Sequence, residues 1–300
     1  MRLTTLALLA LAPPLFADLE IVDEAGKHLD VVSDGKVLVR YMYAHDTSTP
    51  ERHHETYKPY LHVFDAEGKK PITKGAGGRF THHRGIFIGW SKIEFAGKRH
   101  DRWHMKGGDI VHQEFAGNEA AGNRASIVSK THWHDDGEKP FLEETRTMVV
   151  HEPKKGPARV VIDFRSVLAA NHGDVSLKGD PEHAGIQYRP ADTVDVKKTA
   201  YFFPDDDVNL KKDRDLPWIA ETYVLDGKTY SVVQINHRDN PKGTRHSAYR
   251  NYGRFGSFFE KEISDGESLE VNYRFLIIDG PMPERKVIEE ASRAFNTGGA

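Results

Sequence analysis

The 300-residue chain contains no cysteine. Disulfides, thiol chemistry and an acylated cysteine anchor are therefore excluded, and stability must come from burial. An excess of either charge is also missing. Forty-two Lys and Arg stand against 45 Asp and Glu, a formal −3 that offers no electrostatic footprint for nucleic acid. No apolar run reaches the ~20 residues needed to cross a bilayer as a helix. The signatures GxSxG, HExxH, Walker A and the dinucleotide glycine fingerprint do not occur. No acidic pair stands out of the kind that two-carboxylate glycoside hydrolysis uses. Asp205-Asp206-Asp207 with Asn209 lacks the spacing of an EF-hand loop and reads as a solvated turn.

What is present is β-structure and histidine. Met1 to Ala17, with Arg2 at the start, an apolar run from Leu3 to Leu11 and a small residue at the end, is expected to be a signal peptide cut near Ala17. That places the mature chain, residues 18–300, in the periplasm or outside the cell as one domain. After it, short apolar segments alternate with turn signals: His28 to Val32, Lys36 to Tyr43, Tyr60 to Phe64, Arg159 to Ala169 and Leu269 to Ile278 are typical. Glu221 to Leu225 and Lys228 to Val232 flank Asp226-Gly227, a two-residue hairpin. Ala44 to Pro59 has two prolines and no usable period, so it is expected to be loop, with His53 and His54 a solvated pair. Only Pro283 to Phe295 has helical spacing, with Val287, Ala291, Ala294 and Phe295 on one stripe that would cap a sheet. The expected fold is all-β, a large antiparallel β-sandwich with one C-terminal helix.

Five of the 17 histidines fall between Gly77 and Phe115, which marks this stretch as the candidate active-site core. Imidazole titrates near neutrality and guanidinium suits a carboxylate or a developing oxyanion. His82, His83, Arg84 and His104 are the candidate catalytic residues. Here His83 or His104 would act as base and Arg84 would stabilise negative charge. Trp103 beside His104 suits a sugar, whose apolar face stacks on indole. Gln187 and Arg189 should share a strand face, and with His183 they could bind hydroxyls or a carboxylate. His237, Arg245, His246 and Tyr252 belong to a second polar loop region and complete the candidate substrate-binding set. His100 and His104 would meet only on a helix, which Gly97 and Gly107-Gly108 argue against, and His132 and His134 share a strand face that some metal sites use.

The segments THHRGIFIGW, DRWHMKGGDIVHQEF, HAGIQYR and NPKGTRHSAYRNYGRFGS together resemble the secreted bacterial PmoA-like family, labelled methane oxygenase and without an assigned biochemical function. The resemblance spans nearly the whole mature chain. It implies a β-sandwich similar to the galactose-mutarotase supersandwich, and a place in glycan-degrading systems. Three readings follow. The first is a carbohydrate-active enzyme that works by histidine acid/base chemistry, by epimerisation or elimination, on a sugar or oxidised sugar. The second is a non-catalytic carbohydrate-binding module, with Trp103 and Tyr252 as stacking platforms. The third is a transition-metal protein. The expected partner is a small molecule or oligosaccharide, no cofactor is required by the motifs, a divalent metal is admitted by the imidazoles, and nothing in the sequence sets an oligomeric state.

Overall fold

A computed structural model describes residues 18–298, and the expected signal peptide lies outside them. An opening meander of β1 (Glu20–Glu24), β2 (His28–Ser33) and β3 (Lys36–Met42) leads into a short helix, α1 (Pro50–Thr56), and β4 (Tyr60–Val63). β5 (Ile86–Trp90), β6 (Lys92–Phe95) and β7 (Lys98–His100) follow. Next come the long strands β8 (Ile110–Ala121), β9 (Arg124–His134), β10 (Pro140–His151) and β11 (Val160–Ala169). β12 (Val175–Lys178), β13 (Ala184–Tyr188) and β14 (Ala200–Phe202) are short, whereas β15 (Trp218–Leu225) and β16 (Lys228–Asn236) form the expected hairpin. The chain ends with β17 (Arg245–Ala248), β18 (Phe255–Phe258), β19 (Lys261–Ile263), β20 (Ser268–Asp279) and α2 (Arg285–Thr297).

Two antiparallel sheets of eight strands pack face to face. The first has the order β1-β2-β3-β4-β5-β13-β18-β17 and the second β14-β15-β16-β20-β11-β10-β9-β8. Period-two burial along β11 shows why: Val160, Ile162 and Phe164 turn inward while Val161, Asp163 and Arg165 are less buried. From the other sheet Tyr41, Ile88 and Ile186 enter the same core. A four-stranded sheet, β19-β12-β6-β7, adds to the two-layer expectation.

The core is not wholly apolar. Glu144 and Arg146 on β10 are buried and paired at 2.9 Å, and Trp133, Thr131 and Ser166 donate to the same carboxylate. Every oxygen is satisfied, as a buried charge requires.

α2 lies on the outer face of the second sheet, where Ile288, Ala291 and Phe295 pack on a patch made by Trp218, Ala220, Val233 and Leu276. Val287 is partly exposed, off the expected stripe. The other difference is α1, which stands where loop was expected. Thr49 is its N-cap, accepting from the Arg52 amide, and Pro50 opens the first turn.

Register decides which face carries the candidate residues. Ile186 pairs with Ile88 and both belong to the core, so their neighbours Gln187 and Phe87, also paired, point away from the second sheet. The outer face of the first sheet is where the connecting loops gather.

Candidate functional site

Four connections converge over that face: residues 74–85 before β5, 101–109 after β7, 179–183 before β13 and 249–254 before β18. Their histidines form a chain of ring contacts. His82 stands 4.4 Å from His83 and 4.8 Å from His104, and His104 stands 4.9 Å from His183, centroid to centroid. Trp103 touches both ends of the group, 6.5 Å from His83 and 6.3 Å from His183.

Each segment holds its histidine for a local reason. Asp101 closes a turn by accepting the backbone amides of Trp103 and His104, and its other oxygen takes His104 Nδ1 at 2.9 Å. Asp180 repeats the device three residues before His183, whose Nδ1 lies 3.0 Å from both carboxylate oxygens. Burial pushes the Asp101 and Asp180 carboxyls up, but the histidine hydrogen bonds and neighbouring amides outweigh it and hold both below the usual value. The Glu182 carboxylate accepts from Tyr249 and Arg250, tying two of the four loops together.

The floor is dry. Lys58 is buried with Nζ 2.8 Å from the Trp103 carbonyl and 3.6 Å above the Phe87 ring, and burial drives its pKa well down. Burial and, next, Lys58 push His82 down to about 3. Burial and, next, the neighbouring His82 depress His83 as well. Both imidazoles are therefore neutral, and His82 Nε2 and His83 Nδ1 are buried without a hydrogen-bond partner. Among the described residues these are polar atoms that nothing in the protein satisfies.

The lip is aromatic. Phe80 holds φ at +54°, a left-handed conformation unusual for a bulky residue, and is 37% exposed. Its ring lies 5.2 Å from His83 and 4.9 Å from Tyr252, with the Arg79 guanidinium 4.8 Å above it.

Of the residues singled out from sequence, His82, His83, His104, Trp103, His183 and Tyr252 come together here. Four, Trp103, Arg84, Gln187 and Arg189, have different surroundings from those expected. Trp103 is fully buried against Phe87, so its face is not open to a sugar. Arg84 donates to the carbonyls of Thr81, His83 and His54, and its guanidinium holds the histidine loop rather than facing the cluster. Gln187 and Arg189 share the outer face as expected, but Gln187 donates to the Arg84 carbonyl and Arg189 to Pro190, Tyr252 and Asp192.

The remaining three lie apart from the cluster. His246 is buried on the core side of β17, where Nδ1 meets Ser257 Oγ at 3.0 Å and Nε2 accepts the Leu216 amide. Arg245 precedes it on the same strand. His237 packs against Phe295 of α2 and lines a cavity of about 740 Å³ on the second sheet. His100 stacks on Phe141, on a strand rather than a helix. Sequence reasoning passed over Phe80, Lys58, Asp101 and Asp180. The signal for the two aspartates was legible, since each stands three residues before a histidine at a turn.

Solved structures that resemble this one do so at low identity. A mutant of the heparan sulfate lyase HepC from Pedobacter heparinus matches with a TM-score of 0.45 and 11% identity over 91% of this chain and 38% of the lyase. This chain thus spans well under half of that enzyme. The Slr1438 protein from Synechocystis sp. matches with a TM-score of 0.39 and 11% identity, covering 92% of this chain and all of that one. A GalM/aldose epimerase homologue from C. elegans gives 0.38 and 7% identity over 88% of this chain and 100% of that one. None of the curated protein sequences matches. The model of the family of unknown function DUF6807 matches residues 28–293, a span that includes every loop of the histidine cluster, and the chain belongs to that family.

Proposed function

We propose that this protein is a carbohydrate-active enzyme that removes a proton from a carbon of a sugar or oxidised sugar, with histidines as base and acid. The observation that carries the reading is the pair of Asp–His couples. Asp101 and Asp180 each engage Nδ1 of their histidine, which leaves Nε2 of His104 and His183 to take or give a proton.

Geometry favours elimination over two-base epimerisation. The His104 and His183 rings stand 4.9 Å apart and 35° from parallel, side by side rather than across the width of a sugar ring. Base and acid on one face suit a syn elimination: one imidazole takes the proton next to a carboxylate or carbonyl, and the other protonates the departing oxygen. Phe80, exposed at the lip, offers an apolar face for the pyranose, and Arg79 beside it suits a uronate carboxylate.

The test is single replacement of His82, His104 and His183 by Ala, with turnover followed on uronate-containing oligosaccharides and 3-keto-glycosides. Removal of a general acid or base should lower kcat by roughly 10²–10⁴. Unchanged turnover in all three variants defeats the proposal.

A further inference from the structure

α1 carries two consecutive histidines that go different ways. The His54 carbonyl accepts from Arg84 and so belongs to the scaffold of the histidine cluster. His53 instead points Nε2 at Asp109, 2.8 Å from Oδ2 and 2.9 Å from Oδ1. His45, from the connection after β3, places its own Nε2 2.7 Å from the same Oδ2. The three donor atoms lie within 4.8 Å of one another.

We infer that His45, His53 and Asp109 form a binding site for a divalent first-row transition ion, separate from the proposed catalytic cluster. Two imidazoles with one carboxylate are a donor set such ions favour. Around an octahedral ion with bonds of about 2.1 Å, adjacent donors stand about 3.0 Å apart, close to the two histidine–carboxylate separations here. Asp109 is buried while the imidazoles are 29% and 39% exposed at the side chain, so the ion would keep positions open to water on their side. The donors are held in place. Tyr57 stacks on His53 at 5.6 Å, and its hydroxyl donates to the Gly108 carbonyl beside Asp109. The His134 amide donates to the Asp109 carbonyl.

The consequence is a cross-link. Three separate segments meet at the ion, one of them a seven-residue helix too short to persist by itself. That helix leads directly to Lys58, so the ion would fix the approach to the floor of the cluster.

The experiment is titration of the metal-stripped chain with Zn²⁺ by calorimetry and with Co²⁺ by visible absorption. The expected result is one equivalent per chain, cobalt ligand-field bands, a raised Tm and at least a tenfold loss of affinity in His53→Gln and Asp109→Asn. The metal-free Tm of these variants checks that they fold, and His172→Gln is a surface control that should bind as the parent does. Absence of binding, or binding that survives both substitutions, overturns the inference, as does binding abolished by His104→Ala alone. The readout is binding, so it stands or falls separately from turnover.

Discussion

Phe80 is held in a left-handed conformation on the lip of the cluster, a placement that costs on the order of 1 kcal/mol and is usually retained where a side chain is needed. Phe80→Gly should therefore leave Tm unchanged or raise it while KM for an oligosaccharide rises several-fold; thermal melts and steady-state kinetics check the two halves. A falling Tm with unchanged KM would make Phe80 a packing residue. Glu221 shows the opposite economy. It is buried on the face of β15 that meets the first sheet, and among the described residues neither carboxylate oxygen has a hydrogen-bond partner of good geometry, the nearby Tyr201 hydroxyl lying closest to the Arg250 and Arg254 carbonyls. Burial raises its pKa well above the usual value, against the pull of Arg189. With the folded pKa raised, stability falls as pH climbs past 4.5, because the folded chain holds a proton the unfolded chain releases. Glu221→Gln should flatten that slope, and urea melts from pH 5 to 8 measure it. Residue types alone singled out His82, His83 and His104, which the fold brings into contact. They did not reveal that Trp103 is buried or that Arg84 spends its donors on carbonyls, because both facts depend on the fold around the 101–109 loop.

At the level of elements, the strands were legible and the short pieces were not. Alternation marks β11 clearly, and Asp226-Gly227 marks the β15–β16 hairpin. α1 was missed because seven residues carry too little periodicity, yet Thr49-Pro50-Glu51 is a cap, a first-turn proline and a first-turn acid. Thr49→Ala should cost about 1 kcal/mol locally. Hydrogen exchange at residues 50–56 should show it, with little change in the sheets. Alternation placed Gln187 and Arg189 on one face, and both are buried in scaffold contacts. The ion pair on β10 has a sharper expectation. Glu144→Ala leaves Arg146 charged and buried, and should destabilise by about 3–5 kcal/mol in chemical denaturation. Replacement of both by apolar residues should cost much less.

Over the whole molecule, buried neutral histidines set the acid limit. Burial lowers His62 and His82 to about 3 and His246 to about 4, and His83 falls too. A depressed folded pKa means that the unfolded chain takes up protons first. The contribution of these rings is thus complete above pH 6.5 and is lost as pH drops from there toward 3–4, by on the order of 3 kcal/mol for each fully buried ring. The fold was readable as an antiparallel sandwich, since composition and period are local. Which loops meet was not, because that depends on strand order, and β5 beside β13 is what brings His82 to His183. The central claim is that these histidines move a proton at a sugar carbon. Its most direct measurement is ¹H NMR of uronate-containing oligosaccharides and 3-keto-glycosides incubated with the protein in D₂O. The account predicts deuterium entry or loss of the proton next to the carboxylate or carbonyl with the parent chain, and neither with the His104→Ala/His183→Ala pair. Proton loss undiminished in that pair, or none with the parent chain on any of these sugars, would contradict it.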